Sequence, residues 1–345
     1  MRIDEFDYAL PPERIAQEPL PERDASRLMI LDRSAAGPPR DARFQDLPEL
    51  LSPGDLLVVN RSRVFPARLL GTRPNGGQAE VLLVRRLGGA EWEALVRPGR
   101  RLHAGDVVSV ADGFSVVIGA AAGAGTGRRR VRLDHHAGDP EAAIETFGRT
   151  PLPPYVRRDE RPGERERYQT LFARERGSVA APTAGLHFSE RLLARLAARG
   201  VERTDITLHV GPGTFQPIRV ADVERHRLEP EPFSVPAATV EAVERARRRG
   251  KRVVAVGTTS VRALESVARS DGTLEAREGE TDCVIVPGHR FRAVDALLTN
   301  FHLPRSSLLL LVSAFAGRER VLSAYDHAIR SGYRFYSYGD AMLIL

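Results

Sequence analysis

Cysteine and lysine are almost missing from this chain. Cys283 is its one thiol and Lys251 its one lysine in 345 residues. A lone cysteine rules out an intramolecular disulfide, a cysteine-ligated iron–sulfur cluster and a cysteine-type zinc site, and it fits a reducing compartment. Long apolar runs are missing too. The longest, Leu308 to Phe315, falls far short of the roughly 20 residues that cross a bilayer, and no apolar signal segment is read near the N-terminus. A cytoplasmic protein with no membrane partner is expected. No Gly-x-Gly-x-x-Gly opens a βαβ unit, and there is no Walker P-loop, Gly-x-Ser-x-Gly elbow or His-Glu-x-x-His helix. Those absences remove the common nucleotide-binding folds and hydrolases. His226 with Glu229 has no second ligand pair at zinc-type spacing, so no metal is expected. No internal repeat is visible.

What is present is arginine. Lysine and arginine total 51 against 45 acidic residues, a net charge of +6 and a pI near 9.9, so an acidic partner is expected. The planar arginine fork holds two oxygens of a phosphate or carboxylate at once. Hydrophobic residues at 42% and charged residues at 28% are ordinary for a soluble globular protein. The length favours two domains.

The texture along the chain changes twice. Leu56-Leu-Val-Val59 reads as a buried strand. Short strand patterns then recur over 64–70, 79–84, 92–96, 107–110, 114–118 and 129–133, separated by glycine and proline turns. That spacing predicts a small antiparallel barrel. The run 120–127 is a hairpin tip, since no helical pattern follows it. From about 140 onward helix signals return. Helices are predicted over 189–199, 238–249, 258–268, 306–315 and 319–331, with strands over 204–210, 252–256 and 283–286. Alternation of this kind predicts a largely parallel sheet. The fold class expected is α/β: a large α/β sandwich-type domain, discontinuous over 1–62 and 150–345, with an inserted small antiparallel β-barrel over 63–149.

Four small-residue or polar loops interrupt the α/β part: Ser178 to Phe188, His209 to Phe215, Gly257 to Arg262 and Thr299 to Pro304. Three carry a histidine. Small residues let backbone approach a ligand, and strand ends are where open α/β sheets bind ligands. One site assembled from all four is expected. Gly257-Thr258-Thr259-Ser260 reads as a strand-to-helix turn, whose exposed N–H groups and hydroxyls suit an anion. Arg262 would complete a clamp. Thr183 and His187 in the first loop, His209 in the second, and Asn300 and His302 in the fourth supply the remaining polar groups. Asp55, Asp282 and Asp340 read as capping or ion-pairing residues.

These loops resemble one family nearly end to end: the S-adenosylmethionine:tRNA ribosyltransferase-isomerases of bacterial queuosine biosynthesis. The resemblance is carried by Pro21-Glu-Arg-Asp-Ala-Ser-Arg27, Leu152-Pro-Pro-Tyr155, Arg167-Tyr-Gln-Thr170 and Ala180-Ala-Pro-Thr-Ala-Gly-Leu-His-Phe188. His209-Val-Gly211, Val256-Gly-Thr-Thr-Ser-Val-Arg262, Leu297-Leu-Thr-Asn-Phe-His-Leu-Pro304 and Tyr338-Gly-Asp-Ala-Met342 add to it. Three positions depart from the family pattern. Arg61 stands where a smaller polar residue is usual, Pro212 interrupts the His209 loop, and Glu229 stands where a histidine often follows His226.

The resemblance implies an α/β domain carrying an inserted β-barrel. It also implies transfer of the ribosyl part of S-adenosylmethionine to 7-aminomethyl-7-deazaguanine at the tRNA wobble position. The product would be epoxyqueuosine-tRNA, with adenine and methionine released. S-adenosylmethionine is then a co-substrate, with no tightly bound cofactor and no metal. A sulfonium acidifies its neighbouring C5′ protons, so the chemistry needs a base, a proton source for adenine and a holder for the methionine carboxylate. His187 or His209, with Thr183, is assigned to acid–base work. Gly257, Thr258, Thr259, Ser260, Arg262, Asn300 and His302 are assigned to the cofactor, with Thr259 and Arg262 as carboxylate clamp. Arg128, Arg129, Arg130, Arg157 and Arg158 are assigned to tRNA phosphates, beside Arg85 and Arg86. Tyr155 or Tyr168 is assigned to stacking on an unpaired base. A monomer is expected. Two other readings compete: an S-adenosylmethionine-dependent RNA methyltransferase, which the missing glycine-rich turn disfavours, and a non-catalytic RNA-binding protein.

Overall fold

The protein is described by a computed structural model over residues 1–35, 37–123, 127–136, 138–215, 217–218 and 220–345. Its N-terminal part supplies β1 (Arg27–Leu31), β2 (Arg40–Arg43), α1 (Leu47–Leu50), β3 (Leu56–Asn60) and β4 (Ser62–Val64). Then come β5 (Arg68–Thr72), β6 (Gln78–Gly88), β7 (Glu91–Arg97), β8 (Val107–Ala111), β9 (Phe114–Ala121), β10 (Arg128–His135) and α2 (Pro140–Phe147). Next are α3 (Glu164–Arg167), β11 (Glu175–Ser178), α4 (Glu190–Ala198), β12 (Glu202–Leu208), β13 (Glu231–Val235) and α5 (Ala237–Arg248). The chain ends with β14 (Val253–Val256), α6 (Thr258–Ser266), β15 (Arg277–Thr281), β16 (Ala296–Asn300), α7 (Ser307–Ala316), α8 (Arg318–Arg330) and β17 (Ala341–Ile344).

Among the described residues, nine strands make one sheet in the order β15-β13-β12-β3-β14-β16-β17-β1-β2. Its two faces follow from strand alternation. Leu56 and Val58 point into one core with α5, α6, α7 and α8, while Leu57 and Val59 point into the other with α1 and α4. All of β3 is therefore buried, as covered parallel strands are. Where the chain reaches helices, their ends are marked by sequence. Ser189 caps α4 by accepting from Leu192 N, and Ser306 caps α7 by accepting from Leu309 N, each satisfying a donor of the first turn. α7 is apolar almost all round and lies buried. No helix among the described residues is long and apolar enough to cross a membrane.

The sheet is less parallel than the alternation predicts. Its centre, β12-β3-β14-β16, is parallel, as is β1 with β17. The other neighbours run antiparallel. Two consecutive helices, α7 and α8, join β16 to β17. A two-helix connection returns the chain to the end it left, so β17 runs back along β16. The strand predicted over 283–286 is irregular, and the chain instead pairs slightly earlier as β15 against β13.

Strands β5 to β10 close a six-stranded antiparallel barrel among the described residues, with Leu69, Val81, Leu83, Trp92, Val116 and Val131 in its core. The strand predicted over 64–70 is divided at Pro66, which has no N–H for a ladder. β4 pairs with β11 instead, in a separate two-stranded parallel sheet. Part of the predicted hairpin tip, residues 124–126, lies outside the described residues. The C-terminal ends of the central strands hold the clefts.

Candidate active site

The C-terminal ends of β14 and β16 and the chain just past β12 converge. All four polar loops meet there and line one cleft. Thr183 and Ala184 come from the first loop, Val210 and Thr214 from the second. Gly257, Thr258 and Thr259 come from the third, and Thr299, Asn300 and His302 from the fourth. Two tyrosines close one side. Tyr155 and Tyr336 have ring centroids 4.6 Å apart, and the Tyr155 hydroxyl bonds Ser337 Oγ at 2.5 Å. Tyr155 therefore lines this cleft. Tyr168 is wholly buried among Val64, Ala181 and Leu186, which removes it as a platform for a base.

Gly257 turns β14 into α6 with a φ of 87°, a left-handed value that favours glycine. The turn aims the first N–H groups of a nine-residue helix into the cleft. These lack intrahelical partners, and the helix dipole adds positive potential. Thr259 stands among them, 6% exposed, and its Oγ1 has no hydrogen-bond partner. Ser260 differs from its expected role. Its hydroxyl donates back to Val256 O at 2.9 Å and does not line the cleft.

Arg262 differs as well. The expected clamp arginine is 2% exposed and already holds a carboxylate, that of Glu231. Its Nε donates to Cys283 O at 3.0 Å. Glu231 in turn accepts from Gly211 N at 2.7 Å and Thr214 Oγ1 at 2.9 Å. The pair thus fixes the His209 loop.

His187 is buried outside the cleft lining, stacked on Phe44 at 5.0 Å. Asn300 sets its tautomer. Asn300 Nδ2 donates to Tyr336 O at 3.2 Å and to His187 Nε2 at 3.0 Å, while its Oδ1 accepts from Thr183 Oγ1 at 3.0 Å. With Nε2 an acceptor, His187 carries its proton on Nδ1 and donates it to Ser26 Oγ at 2.8 Å. Both ring nitrogens are occupied. Burial, then Arg167, Arg334 and Arg23, push its pKa down to about 3. His187 is thus tied to Asn300 and, through it, to Thr183, and it does not line the cleft. His302, in the cleft wall, bonds Thr299 Oγ1 at 2.8 Å and is likewise pushed down to about 3 by burial.

These two histidines make stability pH-dependent. Unfolded, each takes up a proton near its ordinary 6.5; folded, only near 3. Between those values the unfolded chain binds more protons. Their contribution is fully present above about pH 6.5 and is lost as pH falls toward 3. The slope is up to ~1.4 kcal/mol per pH unit for each histidine. Urea midpoints measured from pH 7 to pH 4 are expected to fall steadily, whereas a flat series would show that both rings are solvated.

His209 lies just beyond β12 on the wall of a second, larger cleft, lined by both barrel and sheet residues. Its Nδ1 bonds Ser62 Oγ at 2.8 Å, and Ser62 Oγ bonds Ser178 Oγ at 2.5 Å. Ser178 Oγ accepts from Val210 N. Burial lowers the His209 pKa, against an opposing effect of Glu175. Val210 and Thr214 line both clefts, so the two spaces adjoin at the His209 loop.

The expected phosphate contacts separate into groups. Arg128 pairs with Glu93 and Glu229, which ties the barrel to the α/β part through the residue that departs from the family pattern. Arg158 pairs with Glu164. Arg129, Arg130 and Arg157 reach the surface in part or fully. Asp55 pairs with Arg252, and Asp340 accepts backbone N–H groups from Arg27 and Arg334. Sequence reasoning missed Ser62, Ser178, Tyr336 and Glu231. Only Glu231 left a signal: it shares a strand face with Phe233 and Val235, which marks a buried carboxylate.

Comparison with known proteins adds a separate line. Residues 3–344 match the family model described as Queuosine biosynthesis protein. The S-adenosylmethionine:tRNA ribosyltransferase-isomerase of Anaeromyxobacter sp. (strain Fw109-5) is 54% identical, over 100% of this chain and 99% of its own. The enzyme of that name from Moorella thermoacetica is 53% identical over 100% of both. The crystal structure of S-adenosylmethionine tRNA ribosyltransferase from Thermotoga maritima is similar with a TM-score of 0.56 and 39% identity, covering 99% of this chain and 100% of that one.

Proposed function

The chain belongs to the queuosine biosynthesis protein family, and from that membership we propose that it is an S-adenosylmethionine:tRNA ribosyltransferase-isomerase acting on 7-aminomethyl-7-deazaguanine at the wobble position of tRNA. The observation that carries the reading is Thr259 Oγ1, a buried hydroxyl without a partner at the mouth of α6. Helix N–H groups and an unpaired hydroxyl suit a carboxylate, and the methionine end of the co-substrate brings one. Tyr155 and Tyr336 offer ring faces for its adenine or for the incoming deazaguanine.

The reaction divides into three steps. His209, neutral at pH 7 and steadied by Ser62, removes a C5′ proton beside the sulfonium. The C5′ electron pair breaks the C4′–O4′ bond to give a vinyl sulfonium, and the O4′ pair so released makes a C1′ aldehyde as adenine leaves and takes up a proton. The aminomethyl nitrogen then adds at C4′, the C5′ ylide this creates closes on the C1′ aldehyde, and the resulting alkoxide displaces methionine by breaking the ribosyl C5′–S bond as the epoxide forms. In this reading the tRNA base meets the ribosyl group beside Val210 and Thr214, which line both clefts.

One incubation tests the whole. Protein, S-adenosylmethionine and tRNA carrying the aminomethyl base are expected to yield adenine and methionine together, with a matching mass gain on the nucleoside. S-adenosylhomocysteine would mean methyl transfer instead. Intact tRNA binding with no turnover would mean a non-catalytic protein.

Thr259→Val tests the carboxylate site. A hydrogen bond to a charged group is worth about 1.5–3 kcal/mol, so the Kd for S-adenosylmethionine is expected to rise about 10- to 100-fold by calorimetry. Valine has the same shape and removes an unpaired buried hydroxyl, so Tm should hold or rise. A Kd that moves less than about twofold would place the carboxylate elsewhere.

A further inference from the structure

The arginines facing the large cleft are already neutralised. Arg85 and Arg128 pair with Glu93, Arg86 with Glu141, and Arg176 with Glu141 and Glu145. Paired guanidiniums are poor receivers of phosphate. Uncompensated charge lies elsewhere, in Arg23, Arg167 and Arg334, which come from three separate segments around the buried His187.

None of the three forms an ion pair with a carboxylate among the described residues; each donates to backbone carbonyls. Arg23 reaches Leu186 O and Glu166 O at 3.3 Å, Arg167 reaches Leu20 O at 3.2 Å, and Arg334 reaches Glu18 O. Arg167 Nη1 and Arg334 Nη1 are buried with no partner. A buried N–H of a charged group is costly to leave unpaired. All three charges oppose protonation of His187, and Arg23 itself is lowered to about 10 by burial and then by Arg167.

Arg23 and Arg167 line a small cavity with Ser26, His187, Ser337 and Tyr338. No acidic side chain among the described residues lines it. Ser337 also lines the active-site cleft, so the two spaces share a wall. Like charges gathered on a cavity, with donors left over, describe a site completed by an anion from outside.

We infer that this cavity is an oxyanion site that receives a backbone phosphate of the tRNA next to the wobble nucleotide, while the base itself occupies the neighbouring cleft. The inference rests on the tRNA reading above. The methionine carboxylate, the other anion at hand, already has the α6 terminus. Guanidinium forks on two sides suit the several oxygens of a phosphate.

The test is tRNA binding by Arg23→Gln and Arg167→Gln, each titrated over a range of salt, alongside Tm and the Kd for S-adenosylmethionine. Removing a phosphate contact is expected to raise the tRNA Kd about tenfold near 0.15 M salt. It should also flatten the slope of log Kd against log salt by about 0.7–0.9. Arg167→Lys keeps the charge and should keep the slope. Tm should hold or rise, because crowding among the arginines is relieved, and the S-adenosylmethionine Kd should stay within about twofold. Unchanged slopes in both glutamine variants would overturn the site. So would a rise in the S-adenosylmethionine Kd with tRNA binding unmoved, which would assign the cavity to the carboxylate, or a fall in Tm with the slope retained, which would make the cluster structural. The two readings fail separately. A wild type that binds tRNA without ribosyl transfer, while its variants lose slope, would sink the enzyme reading and leave the site standing. A wild type that turns over, with variants of full slope, would do the reverse.

Discussion

His209→Ala is expected to lower the rate of adenine release by about 10²- to 10⁴-fold, the range for loss of a positioned general base, while Tm changes little. His209 is partly exposed on the large-cleft wall, with one nitrogen tied to Ser62 Oγ. Its surroundings are tight: a Cβ on Gly177 would lie 2.6 Å from its ring, so Gly177→Ala should also displace it and slow the same step. The pH profile separates a base from a merely structural ring. The working form is neutral, and burial lowers its pKa. In the wild type, kcat/KM should therefore fall as pH drops through a value below the ordinary 6.5, and this acid limb should vanish from the residual activity of His209→Ala. A limb that persists would put the base elsewhere. His187→Ala offers the contrast. It leaves Asn300 without one partner and Ser26 without another, so it should lower Tm as well as activity.

The sequence made the parts of this site visible and hid how they pair. Glycine turns, small residues and strand-to-helix boundaries are local, and they located the four loops that do meet in one cleft. The barrel was legible for the same reason, since each of its strands ends at its own turn. Pairing is not local. Nothing near Arg262 announces that Glu231, in a different strand, already occupies its guanidinium. Nothing near His187 shows that Ser26 and Asn300 hold both its nitrogens. Arg128 and Arg158 read as phosphate contacts because their carboxylates lie 101 and 6 residues away in segments whose docking the residues alone do not reveal. Strands β16 and β17 were hidden too, although the two helices that join them are legible over 306–315 and 319–331.

Breaking the Arg262–Glu231 pair is expected to have the largest effect on stability. Glu231→Gln leaves a guanidinium 2% exposed without its counter-charge, and losing one partner of a buried ion pair costs about 3–5 kcal/mol. Urea denaturation measures it directly. The double variant Glu231→Leu, Arg262→Leu carries no buried charge, and apolar replacement of such pairs is often neutral or stabilising by about 1–4 kcal/mol. Stability should therefore return in the double variant, but activity should not. Gly211 N and Thr214 Oγ1 still lose the oxygen they both donate to, and they anchor the loop whose Val210 and Thr214 divide the two clefts. Recovery of both together would mean that the pair serves the core alone. Recovery of stability with turnover still depressed would show that the buried Glu231 carboxylate holds the wall that Val210 and Thr214 form between the two clefts.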